Sequence, residues 1–195
     1  RKEFFNEIQH QKASQITPVF NVDRPLAFFP RSGNTFFRNV LHEVYGITSS
    51  TYHQDPSREA DTEFETHPVV KTHPLPHQLP KYLRGKPAVY LVRDGRDALV
   101  SIAHHRKDIV APGTNFYNNL LEATLAQNGS FFGGWSENVH QWSEKATIVI
   151  RFEDLISDPI REVEKLRAII DLPNPHLSKL PTFQSLRTAR PPHRT

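Results

Sequence analysis

Residues 26–45 read LAFFPRSGNTFFRNVLHEVY, and this stretch decides the fold. Its four leading apolar residues, closed by Pro30, predict a short strand of a parallel sheet, because such strands are buried on both faces. Residues 31–35 predict a turn in which Gly33 can adopt a backbone conformation that a Cβ would forbid. From Thr35 onward the apolar residues recur at helical spacing, so the turn opens a helix. These residues are Phe36, Phe37, Val40, Leu41 and Val44.

A strand, a turn of small residues and a helix start together make an anion-binding site. The free backbone N–H groups and the helix dipole point at one spot, where the Ser32 and Thr35 hydroxyls and the Arg31 guanidinium add further donors. We therefore predict that this turn holds a phosphate or sulfate group. It is not a Walker A motif, which requires G-x-x-x-x-G-K-[ST], and an ordinary strand-to-helix turn stays open as the alternative.

The composition is that of a soluble globular chain of one domain, 195 residues long, with 37% hydrophobic and 23% charged residues. The net charge of +3 is too small to predict nucleic-acid binding, and it suits small anionic ligands. No apolar run approaches the roughly 20 residues that span a bilayer, and no secretory segment opens the chain. The absence of Cys excludes disulfides and cysteine-ligated zinc, and we expect a cytoplasmic enzyme.

Three further apolar segments predict strands, at residues 69–74 (VVKTHP), 87–93 (PAVYLVR) and 147–152 (TIVIRF). Between them, helices are predicted after Asp94-Gly95, over residues 116–126 with its leucines on one side, and around Trp135 and Trp142. Asp158-Pro159 predicts another helix start, with a capping side chain followed by Pro at the first helical position. Residues 46–67, with their acidic cluster, predict a solvated excursion, and residues 108–115 predict a loop.

Strands that alternate with helices predict an α/β fold, with a central, mainly parallel β-sheet flanked by helices on both faces. Ligands of such sheets bind beyond the carboxyl ends of the strands. Arg31, His73 and Arg93 each lie at or just after the end of a predicted strand. We therefore expect these three residues to converge on one crevice.

Two other segments carry candidate site residues. Arg93 ends its strand and Ser101 lies about two helical turns further on, so both can face one anionic group; the alternative pairs Arg93 and Arg96 with Asp94 and Asp97.

In Lys71-Thr72-His73, strand alternation puts Lys71 and His73 on the same side. A neighbouring cation lowers the proton affinity of an imidazole and favours its neutral, basic form.

These segments resemble motifs of the PAPS-dependent sulfotransferases, where PAPS is 3′-phosphoadenosine 5′-phosphosulfate. Residues 30–38 (PRSGNTFFR) are similar to the 5′-phosphosulfate-binding loop of that family, and residues 92–101 (VRDGRDALVS) to its 3′-phosphate-binding segment. Residues 71–73 (KTH) resemble the catalytic strand, and residues 151–155 (RFEDL) the strand that usually reads R-Y-E-D-L. The motifs follow the family order over residues 26–183, and the resemblance implies a P-loop-NTPase-like sulfotransferase fold.

The resemblance also implies roles. PAPS is the implied sulfuryl donor and PAP the product, with no metal required. His73 would be the general base for a hydroxyl or amine acceptor that attacks sulfur in line, with Lys71 and Arg31 neutralising the developing charge. The implied cofactor-binding residues are Arg31, Ser32, Gly33, Asn34, Thr35, Phe36, Arg93, Ser101, Phe152 and Phe183.

The chain departs from the family pattern at three points. Arg31 replaces a common Lys and cannot donate a proton in the same way, and Phe152 replaces a Tyr and its hydroxyl. The family's C-terminal R-[KR]-G-x-x-G-x-W element, which closes over the 3′-phosphate, has no counterpart. The chain begins at Arg1 and has no Met, so we expect residues 1–195 to be a single sulfotransferase domain that lacks its native N-terminus and its C-terminal closing segment.

Other assignments stay open. One alternative is a P-loop-type nucleotide kinase with Asp94 as a magnesium ligand, and another is a non-catalytic relative that binds PAPS or PAP. We expect a small-molecule or glycan acceptor, with no nucleic acid and no membrane span, and the sequence leaves a homodimer open. The loops at residues 46–67 and 108–134 are the candidates for the acceptor pocket.

Overall fold

Five parallel strands form the centre of the molecule, as the computed structural model of residues 24–52, 67–126 and 134–188 describes it. The sheet has the order β2-β3-β1-β4-β5, and its four neighbouring pairs all run parallel. The α/β fold predicted from the sequence is therefore confirmed. The strands are β1 (Arg24–Phe28), β2 (Ser49–Thr51), β3 (Val69–Thr72), β4 (Val89–Val92) and β5 (Ile148–Arg151).

Helices connect the strands and cover both faces of the sheet. They are α1 (Asn34–Tyr45), α2 (Gly95–His105), α3 (Phe116–Leu125), α4 (Gly134–Lys145), α5 (Phe152–Ser157), α6 (Pro159–Glu164) and α7 (Phe183–Thr188). Short 3-10 turns lie at Pro76–Gln78, Lys165–Ala168 and Leu177–Lys179. Within the described ranges, no helix is both long enough and apolar enough to cross a membrane.

Alternation along the central strands builds a core on each side of the sheet. Leu26, Val89 and Leu91 point into the larger cluster, which also holds the apolar faces of α1 and α6. Ala27, which follows Leu26, and Tyr90, which lies between Val89 and Leu91, point into a second cluster with Trp142 of α4. Since both faces are buried, these strands carry the continuous apolar runs by which the sequence reveals them.

Three local predictions were wrong. Residues 46–67 contain a strand, β2, where a solvated excursion was expected, and a π-helical turn at Arg106–Val110 extends α2 into the predicted loop. Phe152 opens helix α5 rather than ending a strand. The helix predicted over residues 116–126 is confirmed as α3; its Leu121 and Leu125 side chains are 57% and 63% exposed, and the helix buries the smaller Ala123. The acidic cluster and the centre of the loop at 108–134 lie outside the described residues.

The predicted helix start at Asp158-Pro159 is confirmed. The Asp158 carboxylate accepts a hydrogen bond from the backbone N–H of Arg161 at 3.1 Å, and Pro159 occupies the first turn of α6. This cap holds a short helix whose Val163 is fully buried in the main core.

We expect Asp158→Ala to lower the free energy of unfolding by about 1 kcal/mol, because the first turn of α6 loses its side-chain acceptor. Urea denaturation measures the change. Asp158→Ser keeps a capping oxygen and should retain most of the stability. Equal losses in the two variants would show that the cap contributes nothing.

Candidate functional site

The turn between β1 and α1 is an open helix N-terminus with a buried hydroxyl beneath it. Gly33 stands at the cap position of α1 with φ of 95° and has no side chain to satisfy the first N–H groups of the helix. Arg31 also has a positive φ, of 68°, which is uncommon for a residue with a Cβ. Ser32 is fully buried, and its Oγ has no hydrogen-bond partner among the described residues. The turn therefore presents polar donors that the protein itself leaves unused.

Gly33 is required here by close packing as well as by its backbone conformation. A Cβ built on Gly33 would overlap the ring of Phe152, the first residue of α5. The ring of Phe152 is nearly buried and packs edge to face against Phe183 of α7, with centroids 5.3 Å apart. The turn after β1 and the helix after β5 thus meet through a contact that only glycine allows.

Arg93, just after β4, contacts both the ring of Phe152 and the turn after β1. Its guanidinium carbon lies 4.6 Å from the centroid of the Phe152 ring, a cation–π contact, and its Nη1 donates a hydrogen bond to the carbonyl of Arg31 at 3.2 Å. Its Nε is buried and has no hydrogen-bond partner in the described structure. The Nη2 atom lies 3.5 Å from the exposed carboxylate of Asp97, an ion pair of little energetic weight.

The N-terminus of α2 differs from that of α1, because a side chain of the protein already accepts a hydrogen bond from its first turn. The Asp94 carboxylate caps α2 through the N–H of Arg96 at 2.9 Å and pairs with the Arg96 guanidinium at 2.5 Å. The hydrogen bond from Arg96 lowers the pKa of Asp94 to about 2, so this carboxylate is ionised at neutral pH. The backbone N–H of Asp94 donates to Glu153 at 3.1 Å. The alternative pairing is therefore present for Arg96 with Asp94 and, at a longer distance, for Arg93 with Asp97, while the Arg93 guanidinium also contacts Phe152 and Arg31.

A cavity of about 400 Å³ lies at the carboxyl ends of β1 and β4. Arg31 and Ser101 meet across it, with the Arg31 Nε donating to the Ser101 Oγ at 3.1 Å. The wall contains every residue predicted to bind the cofactor except Ser32, which lies buried beneath the turn, and adds Leu186, which the sequence did not single out. The lining residues are Arg31, Gly33, Asn34, Thr35, Phe36, Arg93, Ser101, Phe152, Phe183 and Leu186.

Lys71 and His73 lie at the carboxyl end of β3, the strand next to β1. Both are half-buried, whereas Thr72 between them is fully buried and pairs with Ala27 of β1. Neither belongs to the described residues that line the cavity. The expected convergence thus holds for Arg31 and Arg93 at the cavity, with His73 one strand further along the same edge of the sheet.

Helix α4 supplies contacts that the sequence did not predict. Trp142 lies in the second core cluster and Trp135 packs against the cluster around Phe29, and their indole N–H groups also donate to the carbonyls of Pro74 and Arg93, each at 3.1 Å. Asn138, on the same side of the helix, donates to the carbonyl of His73 at 3.4 Å. In the sequence, these contacts are indicated by three hydrogen-bonding side chains, at positions 135, 138 and 142, that recur at helical intervals.

The described residues contain no group of three or more His, Cys, Asp or Glu side chains that could hold a metal ion. What the arrangement offers is a set of cations, hydroxyls and helix N–H groups beside three phenylalanine rings. That combination suits a ligand with more than one anionic group and a flat aromatic part.

Comparison with known proteins assigns the family. The sulfotransferase domain model matches residues 4–190. This chain belongs to the sulfotransferase domain family. The resemblance drawn from the sequence motifs is therefore confirmed.

Two curated sulfotransferases are similar to this domain. Cytosolic sulfotransferase 1 of Danio rerio is 28% identical over 176 residues, which cover 75% of this chain and 58% of the relative. Sulfotransferase 1A1 of Bos taurus is 29% identical over 109 residues, covering 52% of this chain and 37% of the relative. The sulfotransferase domain described here thus spans less than two thirds of the length of either relative.

A solved structure shares the fold. The crystal structure of a mouse sulfotransferase complexed with PAP superposes with a TM-score of 0.63 at 18% identity, covering 86% of this chain and 68% of the other. The sulfotransferase domain therefore has the architecture that its motifs imply.

We expect Gly33→Ala to destabilise this domain more than Gly46→Ala does. Both glycines have positive φ, of 95° and 66°, but a Cβ at Gly46 meets nothing within 4 Å. Gly46→Ala should therefore show backbone strain alone, about 1 kcal/mol. Gly33→Ala adds the displacement of Phe152, about 1–3 kcal/mol more.

Urea denaturation of the two variants measures the difference directly. Equal losses of stability would show that the Phe152 ring yields without cost and that close packing does not determine the residue at position 33.

Proposed function

We propose that this domain binds PAPS and transfers its sulfuryl group to a hydroxyl or amine acceptor. The observation that carries the proposal is the cavity whose wall combines the turn after β1 with Arg93, Ser101 and the ring of Phe152. Membership of the sulfotransferase family supports the reaction class.

The donors left unused in the protein fit the nucleotide. A buried polar atom without a hydrogen-bond partner is costly, so the Ser32 Oγ and the Arg93 Nε favour a ligand that brings acceptor oxygens. We assign the phosphosulfate to the turn at residues 31–35 and the 3′-phosphate to Arg93 and Ser101. The Arg31–Ser101 hydrogen bond lies between these two places, and both groups can turn toward a bound anion.

We assign the adenine to the aromatic wall. Phe183 packs edge to face against Phe36, at 5.6 Å, and against Phe152, at 5.3 Å between centroids. Phe36 and Phe152 are nearly buried, whereas Phe183 retains a partly exposed face. That face is the one available for a base to stack on.

In this scheme the chemistry takes place at the end of β3. Bound PAPS supplies a sulfuryl group whose leaving group is PAP. His73 accepts the proton of the attacking hydroxyl or amine, and the adjacent Lys71 favours the neutral imidazole that this role needs. Arg31 and Lys71 stabilise the negative charge that builds on the sulfuryl and leaving oxygens. We further propose a small molecule or a glycan as acceptor, and a cytoplasmic site of action.

We expect His73→Ala to lower kcat for sulfuryl transfer by about 10²–10⁴-fold, because the acceptor loses its base. The affinity for PAP should stay within twofold of the wild-type value, since His73 lies apart from the cavity wall. Transfer of labelled sulfate from PAPS, over a panel of phenol, steroid and sugar acceptors, measures the first quantity, and calorimetry the second.

His77→Ala is the matched control, because His77 is an exposed histidine four residues away whose ring contacts Gln141. Its kcat should match that of the wild type. Near-normal turnover in His73→Ala would reject His73 as the base.

We expect Arg93→Ala to weaken PAP binding by about tenfold to hundredfold, since it removes charge-assisted hydrogen bonds to a phosphate. AMP, which lacks the 3′-phosphate, should lose far less affinity for the same variant. Titration calorimetry with the two nucleotides gives the comparison.

Arg96→Ala removes an arginine three residues away that is exposed and paired with Asp94, so it should change neither affinity. If Arg93→Ala weakened AMP and PAP by the same factor, the assignment of Arg93 to the 3′-phosphate would be wrong.

A further inference from the structure

Helix α4 holds the backbone at the carboxyl ends of two site strands. Its side chains at positions 135, 138 and 142 donate hydrogen bonds to the carbonyls of Arg93, His73 and Pro74. The first carbonyl follows β4 and the other two follow β3. One helix therefore connects the segment that carries the proposed base to the segment that carries Arg93.

His73 lies just beyond the paired part of β3, at the point where the chain leaves the sheet. The register between β3 and β1 runs to the pair Thr72 and Ala27, one residue before His73. Pro74 has no N–H to donate, and it restricts His73 to extended conformations. The carbonyls of both His73 and Pro74 accept hydrogen bonds from α4.

A second hydrogen bond sets the orientation of the Asn138 side chain. Asn138 and Tyr90 are both fully buried, and the Tyr90 hydroxyl donates to the Asn138 Oδ1 at 2.9 Å. Burial raises the pKa of the Tyr90 phenol, so its proton stays in place over the physiological range. With Oδ1 taken by Tyr90, the Nδ2 group is directed at the His73 carbonyl. The ring of Tyr90 stacks on Trp142, 6.1 Å between centroids, which fixes the hydroxyl in turn.

We propose that Asn138 is a positioning residue for His73, oriented by Tyr90, and that it sets the place of the imidazole at the end of β3. A role in packing alone does not account for an amide at this position. A buried amide is costly unless its groups are paired, and an apolar side chain of similar size would fill the same space. The consequence for turnover rests on the proposed function, whereas the placement of His73 does not.

Tyr90→Phe is the sharpest variant, because it removes one hydroxyl and leaves the ring stacked on Trp142. Asn138→Leu removes the amide itself at similar volume. Val139→Ala is the matched control: it loosens the packing of the same helix at a half-buried residue of the second core cluster, without touching the hydrogen bonds. Thermal unfolding of all three shows how far each is destabilised.

The first readout is independent of activity. Diethyl pyrocarbonate modifies accessible imidazoles, and peptide mass spectrometry of the full chain gives a rate for each histidine. We expect His73 to react at least threefold faster in Tyr90→Phe and in Asn138→Leu, with the exposed His42 and His140 unchanged. An unaltered rate at His73 in both variants would overturn the proposal, as would an equal acceleration in Val139→Ala.

The second readout is transfer from PAPS. We expect Tyr90→Phe to lower kcat about tenfold while the KM for PAPS and the Kd of PAP stay unchanged. A fall in PAP affinity that matched the fall in kcat would indicate general loosening and would also overturn the proposal. If the wild-type chain transferred nothing, the proposed function would fail, and the His73 modification rates would still decide the placement.

Discussion

The contact between Gly33 and the ring of Phe152 is the constraint on which the site depends. It lets the turn after β1 lie directly against the start of α5, which follows β5 at the edge of the sheet. Arg93 lies over the same ring and donates a hydrogen bond to the carbonyl of Arg31. Three segments far apart in sequence thus converge on one aromatic side chain, and the cavity is the space left beside it.

Much of this could be predicted from the sequence, because the information is local. Leu26 to Phe29 form an apolar run before a small-residue turn, so the strand, the turn and the helix follow from patterns within 20 residues. The segment around Arg93 repeats that pattern. Parallel strands share one carboxyl edge, so the crevice at their ends could be expected before any contact was known. All the predicted cofactor residues except the buried Ser32 accordingly meet at one cavity wall.

Other features could not be predicted because they depend on distant partners. Leu121 and Leu125 have the spacing of a buried face, yet α3 packs against α2 through Ala123, because the small side chain allows closer approach. Strand β2 has only three residues with a polar composition, and its pairing with β3 alone makes it a strand. The hydrogen bonds of α4 to His73, Pro74 and Arg93 span 65, 68 and 42 residues along the chain. Their acceptors are backbone carbonyls, which every residue has, so the sequence does not indicate which of them will be bound.

The buried polar groups of the candidate site are of two kinds, those that have a hydrogen-bond partner in the protein and those that have none among the described residues. At the cavity, the Ser32 Oγ and the Arg93 Nε are buried and have no hydrogen-bond partner among the described residues, and the same is true of the hydroxyls of Ser50 on β2 and Thr72 on β3. On α4, by contrast, Trp135, Asn138 and Trp142 donate hydrogen bonds that restrain the backbone after β3 and β4. Arg93 connects the cavity with helix α4, because its side chain lines the cavity while its carbonyl accepts a hydrogen bond from Trp135. The end of β4 is therefore where the cavity proposed for the nucleotide and the segment that carries His73, the proposed base, are connected through one helix.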